Sequence, residues 1–237
     1  MCTLSWRHSS SHTLILFNRD ESIKRGPEGP LEERHLSSTK IACPTDSNAG
    51  GTWIGVNEYG CALALLNHYP DEVTSTSPAR SRGQLVLELL DISTPMDLAE
   101  RIKNIDLDLY APFRLIALNR NIAQQVVWNR KKLSLNTPLP PLGSSSLDDN
   151  RIPQARAERF KVLPASDEAQ MEFHRSHLPE KGAWSTCMHR PDARTCSFTR
   201  ILLKEDTAQI KHISKPPCEA QEGDGKILTL TLQHNRA

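Results

Sequence analysis

Two short apolar runs parted by a polar turn open the chain. Thr3 to Arg7 predicts a strand, His8-Ser9-Ser10-Ser11 a turn, and His12 to Phe17 a second strand. A turn centred on Ser9 and Ser10 sets opposite each other residues whose numbers sum to about 19 or 20, which puts Cys2 across from Phe17 or Asn18. Arg19, Asp20 and Glu21 then fall near the Cys2 sulfur. Residues 24 to 50, broken by Pro27, Pro30 and Pro44, predict a long surface connection with at most one short strand near Lys40 to Ala42. A second hairpin follows: Thr52 to Val56, a turn of Asn57-Glu58-Tyr59-Gly60, and Cys61 to Asn67, whose CALALLN texture suits a strand covered on both faces.

Helical spacing takes over at Arg80 to Leu90, and Thr94-Pro95-Met96-Asp97 carries the cap, first-turn Pro and N3 acid of a second helix reaching Asn104. Strands return at Phe113 to Leu118 and Gln125 to Trp128, and Thr137 to Ser146 reads as a Pro- and Ser-rich loop or subdomain boundary. Two more helices are expected over Pro153 to Val162 and Asp167 to His174, then strands over Thr195 to Leu203, Ala208 to His212 and Ile227 to Leu232. Strands and helices come in blocks rather than in strict alternation. That favours an α+β layered fold, with residues 1–237 as a single domain.

Composition narrows the function. With 29 Lys plus Arg against 28 Asp plus Glu, no overall field recruits nucleic acid or an anionic membrane. No apolar run approaches the roughly 18 residues of an integral membrane span, and MCTLSWRHSSS lacks a signal core, so the chain is expected to be cytoplasmic. Six cysteines over 237 residues are too sparse for a disulfide scaffold.

Cys2 stands apart from the other five. If Met1 is removed, it carries both a thiol and an α-amine whose ordinary pKa of about 7.7–8.0 lets it act as the thiol's own base. Arg19 nearby would hold the thiolate by charge, and Asp20 could orient the amine or the guanidinium. Position alone favours the plainer readings, a small residue at the start of an edge strand for Cys2 and a solvated charged turn for Asn18-Arg19-Asp20-Glu21.

The segments MCTLSW, FNRDES and GGTWIGVNEYGCALALLNHY resemble the NRDE family, also called the transport and Golgi organisation protein 2 family. The namesake tetrapeptide is intact as Asn18 to Glu21, and GGTW spans Gly50 to Trp53. The second hairpin is also similar, more distantly, to bile-salt hydrolases and penicillin V acylases. These are N-terminal nucleophile hydrolases that cleave amides with a processed cysteine. The resemblance implies a four-layer αββα sandwich of that type. It also implies Cys2 as nucleophile, Arg19 as the arginine beside it, Asn67 as an oxyanion donor, and Arg194 within Asp192-Ala193-Arg194-Thr195 as a further site residue.

This chain departs from the pattern in two places. In the amidases an aspartate follows the arginine by three residues, whereas Asp20 or Glu21 must substitute here. Where much of the family has Leu-Ser-Asn, Gly143-Ser144-Ser145-Ser146 stands, so a second oxyanion or orienting amide is missing or supplied by Ser145.

The implied activity is hydrolysis of non-peptide C–N amide bonds, with no cofactor required. Family members have been connected with haem trafficking and with acyl-coenzyme A or lipid handling, so the same cleft could instead carry one of those ligands without turnover. Nine histidines invite a metal reading. However, Cys187-x-His189-x6-Cys196 lacks paired C-x2-C ligands, and no C-x-x-C-H haem attachment occurs, so no metal site is expected. His174 and His177 are expected on a solvated helix face.

Overall fold

A computed structural model describes residues 2–70 and 78–233. The strands are β1 (Cys2–His8), β2 (Thr13–Ser22), β3 (Gly29–Leu36), β4 (Thr39–Thr45), β5 (Ile54–Asn57), β6 (Ala62–Asn67), β7 (Phe113–Leu118), β8 (Ala123–Trp128), β9 (Leu133–Asn136), β10 (Leu142–Ser144), β11 (Ala193–Leu203), β12 (Thr207–Ile213) and β13 (Lys226–Thr231). They form two antiparallel sheets, β10-β1-β2-β11-β12-β13 and β3-β4-β5-β6-β7-β8-β9. The helices are α1 (Arg82–Leu89), α2 (Leu98–Arg101, continued by 3-10 turns on both sides), α3 (Arg151–Lys161) and α4 (Asp167–Arg175).

Alternation along the strands sorts the side chains into layers. Leu4, Trp6, Ile15 and Phe17 of the first sheet meet Ile54, Val56, Ala64 and Leu66 of the second, forming the core between the sheets. Each of the Leu, Ile, Val and Phe side chains among them contributes roughly 1.5–3 kcal/mol by leaving water. The outer face of the second sheet packs Leu63, Leu65 and Leu115 against Leu85, Leu89 and Leu98 of α1 and α2. The CALALLN strand is therefore covered on both faces, as its composition predicts. On the outer face of the first sheet, Leu14, Leu16 and Phe198 lie under Met171 of α4. The result is an αββα sandwich.

Three expectations need correction. Residues 24 to 50 hold two strands: β4 extends the short strand expected near Lys40 to Ala42, and β3 pairs with it where no strand was expected. β3 is an edge strand whose only fully buried residue is Leu31, so its pattern reads as loop, and Pro30 is tolerated at a break in the β3–β4 register. The stretch Thr137 to Ser146 is largely the expected loop, but it also carries β10, which crosses to the first sheet and pairs Ser144 with Cys2. Finally, the first hairpin is closed by Ser9 N–H donating to the His12 carbonyl at 2.8 Å, so the turn centres one residue later than expected. Cys2 consequently faces Arg19, not Phe17 or Asn18.

Candidate functional site

The hairpin register decides which side chains meet. Directly paired antiparallel residues project to the same face, so Cys2, Arg19 and Ser144, neighbours across three strands, share the inner face of the first sheet. Asn18 and Asp20 point the other way, toward α3 and α4. The NRDE segment is not a solvated turn: Asn18, Arg19 and Asp20 are all buried within β2.

On the inner face, the Cys2 backbone N–H donates to Ser144 Oγ at 3.1 Å. Burial pushes the Cys2 thiol pKa up, and the Asp20 carboxylate adds to that; the terminal amino group, the Asp20 backbone N–H and the Arg19 charge oppose it without prevailing. Arg19 therefore acts on the thiol with the expected sign but loses to burial. Its guanidinium stacks on Trp53, 4.2 Å from the ring centroid, and its charge is shared with Glu21 at 3.4 Å and Glu28 at 3.5 Å. Burial works to raise the pKa of Glu28, yet hydrogen bonds from His212 and Ser197 and the Arg19 charge hold the carboxylate below its ordinary range.

On the outer face, Asp20 accepts from Thr195 Oγ1 at 2.6 Å and lies 3.8 Å from Nη1 of the fully buried Arg156. Burial raises the Asp20 pKa against the pull of Arg156. Its carboxylate thus orients Thr195 and Arg156 rather than the Arg19 guanidinium. Asn18 donates to the carbonyls of His174 and Thr186 at 2.9 and 3.0 Å. His174 is buried, not solvated.

Cys2, Arg19, Asp20 and Asn67 line one cavity of about 240 Å³, together with Glu21, Arg25, Asp46, Thr52, Trp53, Leu65, Ser81, Arg82 and Gly83. Asn67, at the end of β6, donates to the Tyr69 hydroxyl at 3.0 Å. Arg82 donates to the Pro112 carbonyl at 2.9 Å, and burial lowers its pKa. The start of α1 reaches the cavity because Gly51 and Gly83 touch: a Cβ on Gly51 would sit 2.3 Å from the Gly83 carbonyl carbon. The Thr52 N–H donates to the Gly83 carbonyl at 3.0 Å. GGTW is thus a close-packing device that brings a helix N-terminus to the cleft. Sequence reasoning missed Arg82; the signal available was Ser81-Arg82-Gly83 at the start of the helix, read against a double glycine.

Two expected residues do not join this cavity. Arg194 is exposed, paired through its backbone with Glu21, and lines a neighbouring cavity of about 310 Å³ with Arg19, Glu28 and Cys196. Ser145 is buried, but its hydroxyl accepts from Leu147 and Asp148 N–H groups, tying its own loop. Ser144 takes the place beside Cys2. Away from the cleft, His177, Cys187, His189 and Cys218 gather as possible metal ligands. Cys196, the last member of the spacing weighed and set aside in the sequence, is not among them.

Three solved structures share the architecture. Penicillin V acylase from Agrobacterium tumefaciens superposes with a TM-score of 0.54 at 13% identity, covering 98% of this chain and 91% of that one. A variant of the conjugated bile acid hydrolase from Clostridium perfringens gives 0.54 at 14%, covering 99% of each chain. The Caenorhabditis elegans ortholog of N-acylethanolamine-hydrolyzing acid amidase gives 0.55 at 10%, covering 96% of this chain and 100% of that one. At these identities the likeness establishes the fold, that of the N-terminal nucleophile hydrolases. Among curated proteins no sequence match is found. The sequence model of the Transport and Golgi organisation 2 family matches residues 1–187, and with its NRDE strand and GGTW approach in place the chain belongs to that family.

Proposed function

We propose that the protein is a cysteine amidase that hydrolyses linear, non-peptide C–N amide bonds, with Cys2 as nucleophile once Met1 is removed. One observation carries this reading. The Cys2 nitrogen, which becomes the α-amine on processing, is within hydrogen-bonding distance of Ser144 Oγ and on the same residue as the thiol, in a cavity that also holds Asn67. The α-amine takes the thiol proton as sulfur attacks the carbonyl carbon. Asn67, which has a second N–H besides the one given to Tyr69, donates to the oxyanion. Collapse breaks the C–N bond, and the ammonium returns the proton to the departing amine. Water, deprotonated by the same amine, then cleaves the thioester to release the acid and restore the thiol. Arg82 and the N-terminus of α1 offer positive charge on the opposite wall, which suits a substrate with an acidic group.

The test is intact mass followed by assay on N-acyl amides with Cys2→Ala as control. Loss of Met1 and turnover abolished in the variant support the amidase. Retention of Met1 overturns the self-activated mechanism. A carrier reading draws on a separate feature, a cavity of about 610 Å³ at the far end of β1 lined by Trp6, Leu139, Phe160 and Leu163, whose apolar walls suit haem or the acyl chain of acyl-coenzyme A. Titration with haemin tests it: a Soret shift unaffected by Cys2→Ala favours carriage there, and no shift rejects it for haem. No helix among the described residues is long and apolar enough to cross a membrane.

A further inference from the structure

We propose that His177, Cys187, His189 and Cys218 bind a structural zinc ion. The four come from three separate parts of the chain: just beyond α4, the run into β11, and the loop between β12 and β13. Their ligand atoms all lie within 4.8 Å of one another. The Cys187 and Cys218 sulfurs are 3.4 Å apart, and His189 Nε2 is 3.6 Å from the first and 3.3 Å from the second. A tetrahedral zinc with Zn–S of about 2.3 Å and Zn–N of about 2.0–2.1 Å sets its sulfurs about 3.8 Å apart and each sulfur about 3.6 Å from a nitrogen. The observed triangle is within a few tenths of an ångström of that.

The fourth ligand is marked by a different sign. His177 Nε2 is buried and has no hydrogen-bond partner among the described residues. Such an atom ordinarily costs about 1–3 kcal/mol, and a metal bond satisfies it. The His177 and His189 rings meet edge-on with centroids 5.1 Å apart, so both nitrogens can address one point. Two sulfurs and two imidazoles in tetrahedral array select zinc among divalent ions, and two thiolates neutralise its charge.

The ligands are braced by their surroundings. Cys187 N–H donates to the Ser176 carbonyl at 3.0 Å, Ser185 Oγ donates to the Cys187 carbonyl at 2.7 Å, and His189 is held by a β-bridge to Arg194. With four protein ligands the site is closed, so its role is to fasten the 176–190 segment to the β12–β13 loop. That segment backs the cleft: Met188 N–H donates to Thr195 Oγ1, which donates to Asp20. The proposal is independent of any turnover at Cys2.

Elemental analysis of the full-length chain, purified without metal-affinity chromatography, is expected to give about one zinc per chain. Cobalt exchange should give the thiolate charge-transfer and intense d–d absorption of a tetrahedral site. Cys187→Ser with Cys218→Ser should lose both signals, while Cys196→Ser keeps them. Should the double variant fail to fold, the wild type still decides. Chelation should expose Cys187 and Cys218 to iodoacetamide, and added zinc should protect them again. Substoichiometric metal that added zinc does not restore, a Cys187–Cys218 disulfide in natively isolated protein, or loss of metal in Cys196→Ser overturns the assignment.

Discussion

Cys2 sits in an environment that suppresses its thiolate until something changes. Burial dominates, the Arg19 charge is shared with Glu21 and Glu28, and the terminal amino group, already the strongest charge opposing burial, is the one that processing would bring onto Cys2 itself. Ser144 holds that nitrogen, so Ser144→Ala is expected to slow alkylation of Cys2 and amide turnover by roughly two- to tenfold, the kinetic equivalent of one lost hydrogen bond. Unchanged rates would remove Ser144 from the site.

His174 makes a second residue-scale case. Asn18 gives its amide N–H groups to two carbonyls, so its oxygen must accept from His174 Nδ1, at 2.9 Å, and Nε2 is left to accept from Ser5 Oγ at 2.8 Å. Only the neutral ring fits. Burial, helped by the Arg156 charge, lowers the His174 pKa to about 3. Unfolded, the ring takes a proton near pH 6.5, so between that value and about 3 the unfolded state binds more protons and stability falls as pH falls. Urea midpoints measured from pH 7 to 4 should show this loss, and His174→Gln should flatten it. An equally steep profile in the variant would assign the acid sensitivity elsewhere.

At the scale of elements, the candidate site depends on how two segments approach. The β1–β2 register, displaced one residue from the expectation, is what puts Arg19 opposite Cys2 on the same sheet face. A one-residue slip would exchange it for Asp20 or Asn18. The second approach is that of Gly51 to α1. A Cβ there would meet backbone at 2.3 to 2.6 Å, which no side-chain movement relieves. Gly51→Ala should therefore cost about 1–3 kcal/mol in denaturant unfolding and raise KM more than it lowers kcat for any substrate held by Arg82. Wild-type stability in that variant would contradict the packing account. The hairpins, α1 and the capped run from Pro95 were legible because local periodicity and turn chemistry specify them. β3 and β10 were not, since strands at a sheet edge have little buried pattern to read and β10 is only three residues long.

For the whole molecule, the buried Arg156 joins the α3 layer to the first sheet. It donates to Thr3 Oγ1 at 2.7 Å and the Ala183 carbonyl at 3.1 Å while facing Asp20. Arg156→Met leaves the Asp20 carboxylate buried beside an apolar chain and should destabilise the fold by about 3–5 kcal/mol, part of which Asp20→Asn recovers. An unshifted urea midpoint in Arg156→Met would show that the pair contributes nothing.

The layered α+β class, the two hairpins, the NRDE and GGTW marks and Cys2 as the residue of interest could all be read from the chain, because alternation, turn residues and contiguous motifs are local properties. Four further features arose only from tertiary packing: the net upward shift of the Cys2 pKa, Arg82 in the cleft wall, Ser144 rather than Ser145 at Cys2, and Arg194 outside the cavity. Each depends on burial or on contacts between distant segments. The cluster of His177, Cys187, His189 and Cys218 is the extreme case: no spacing motif announces it, since its members are neighbours only after three loops close on one another.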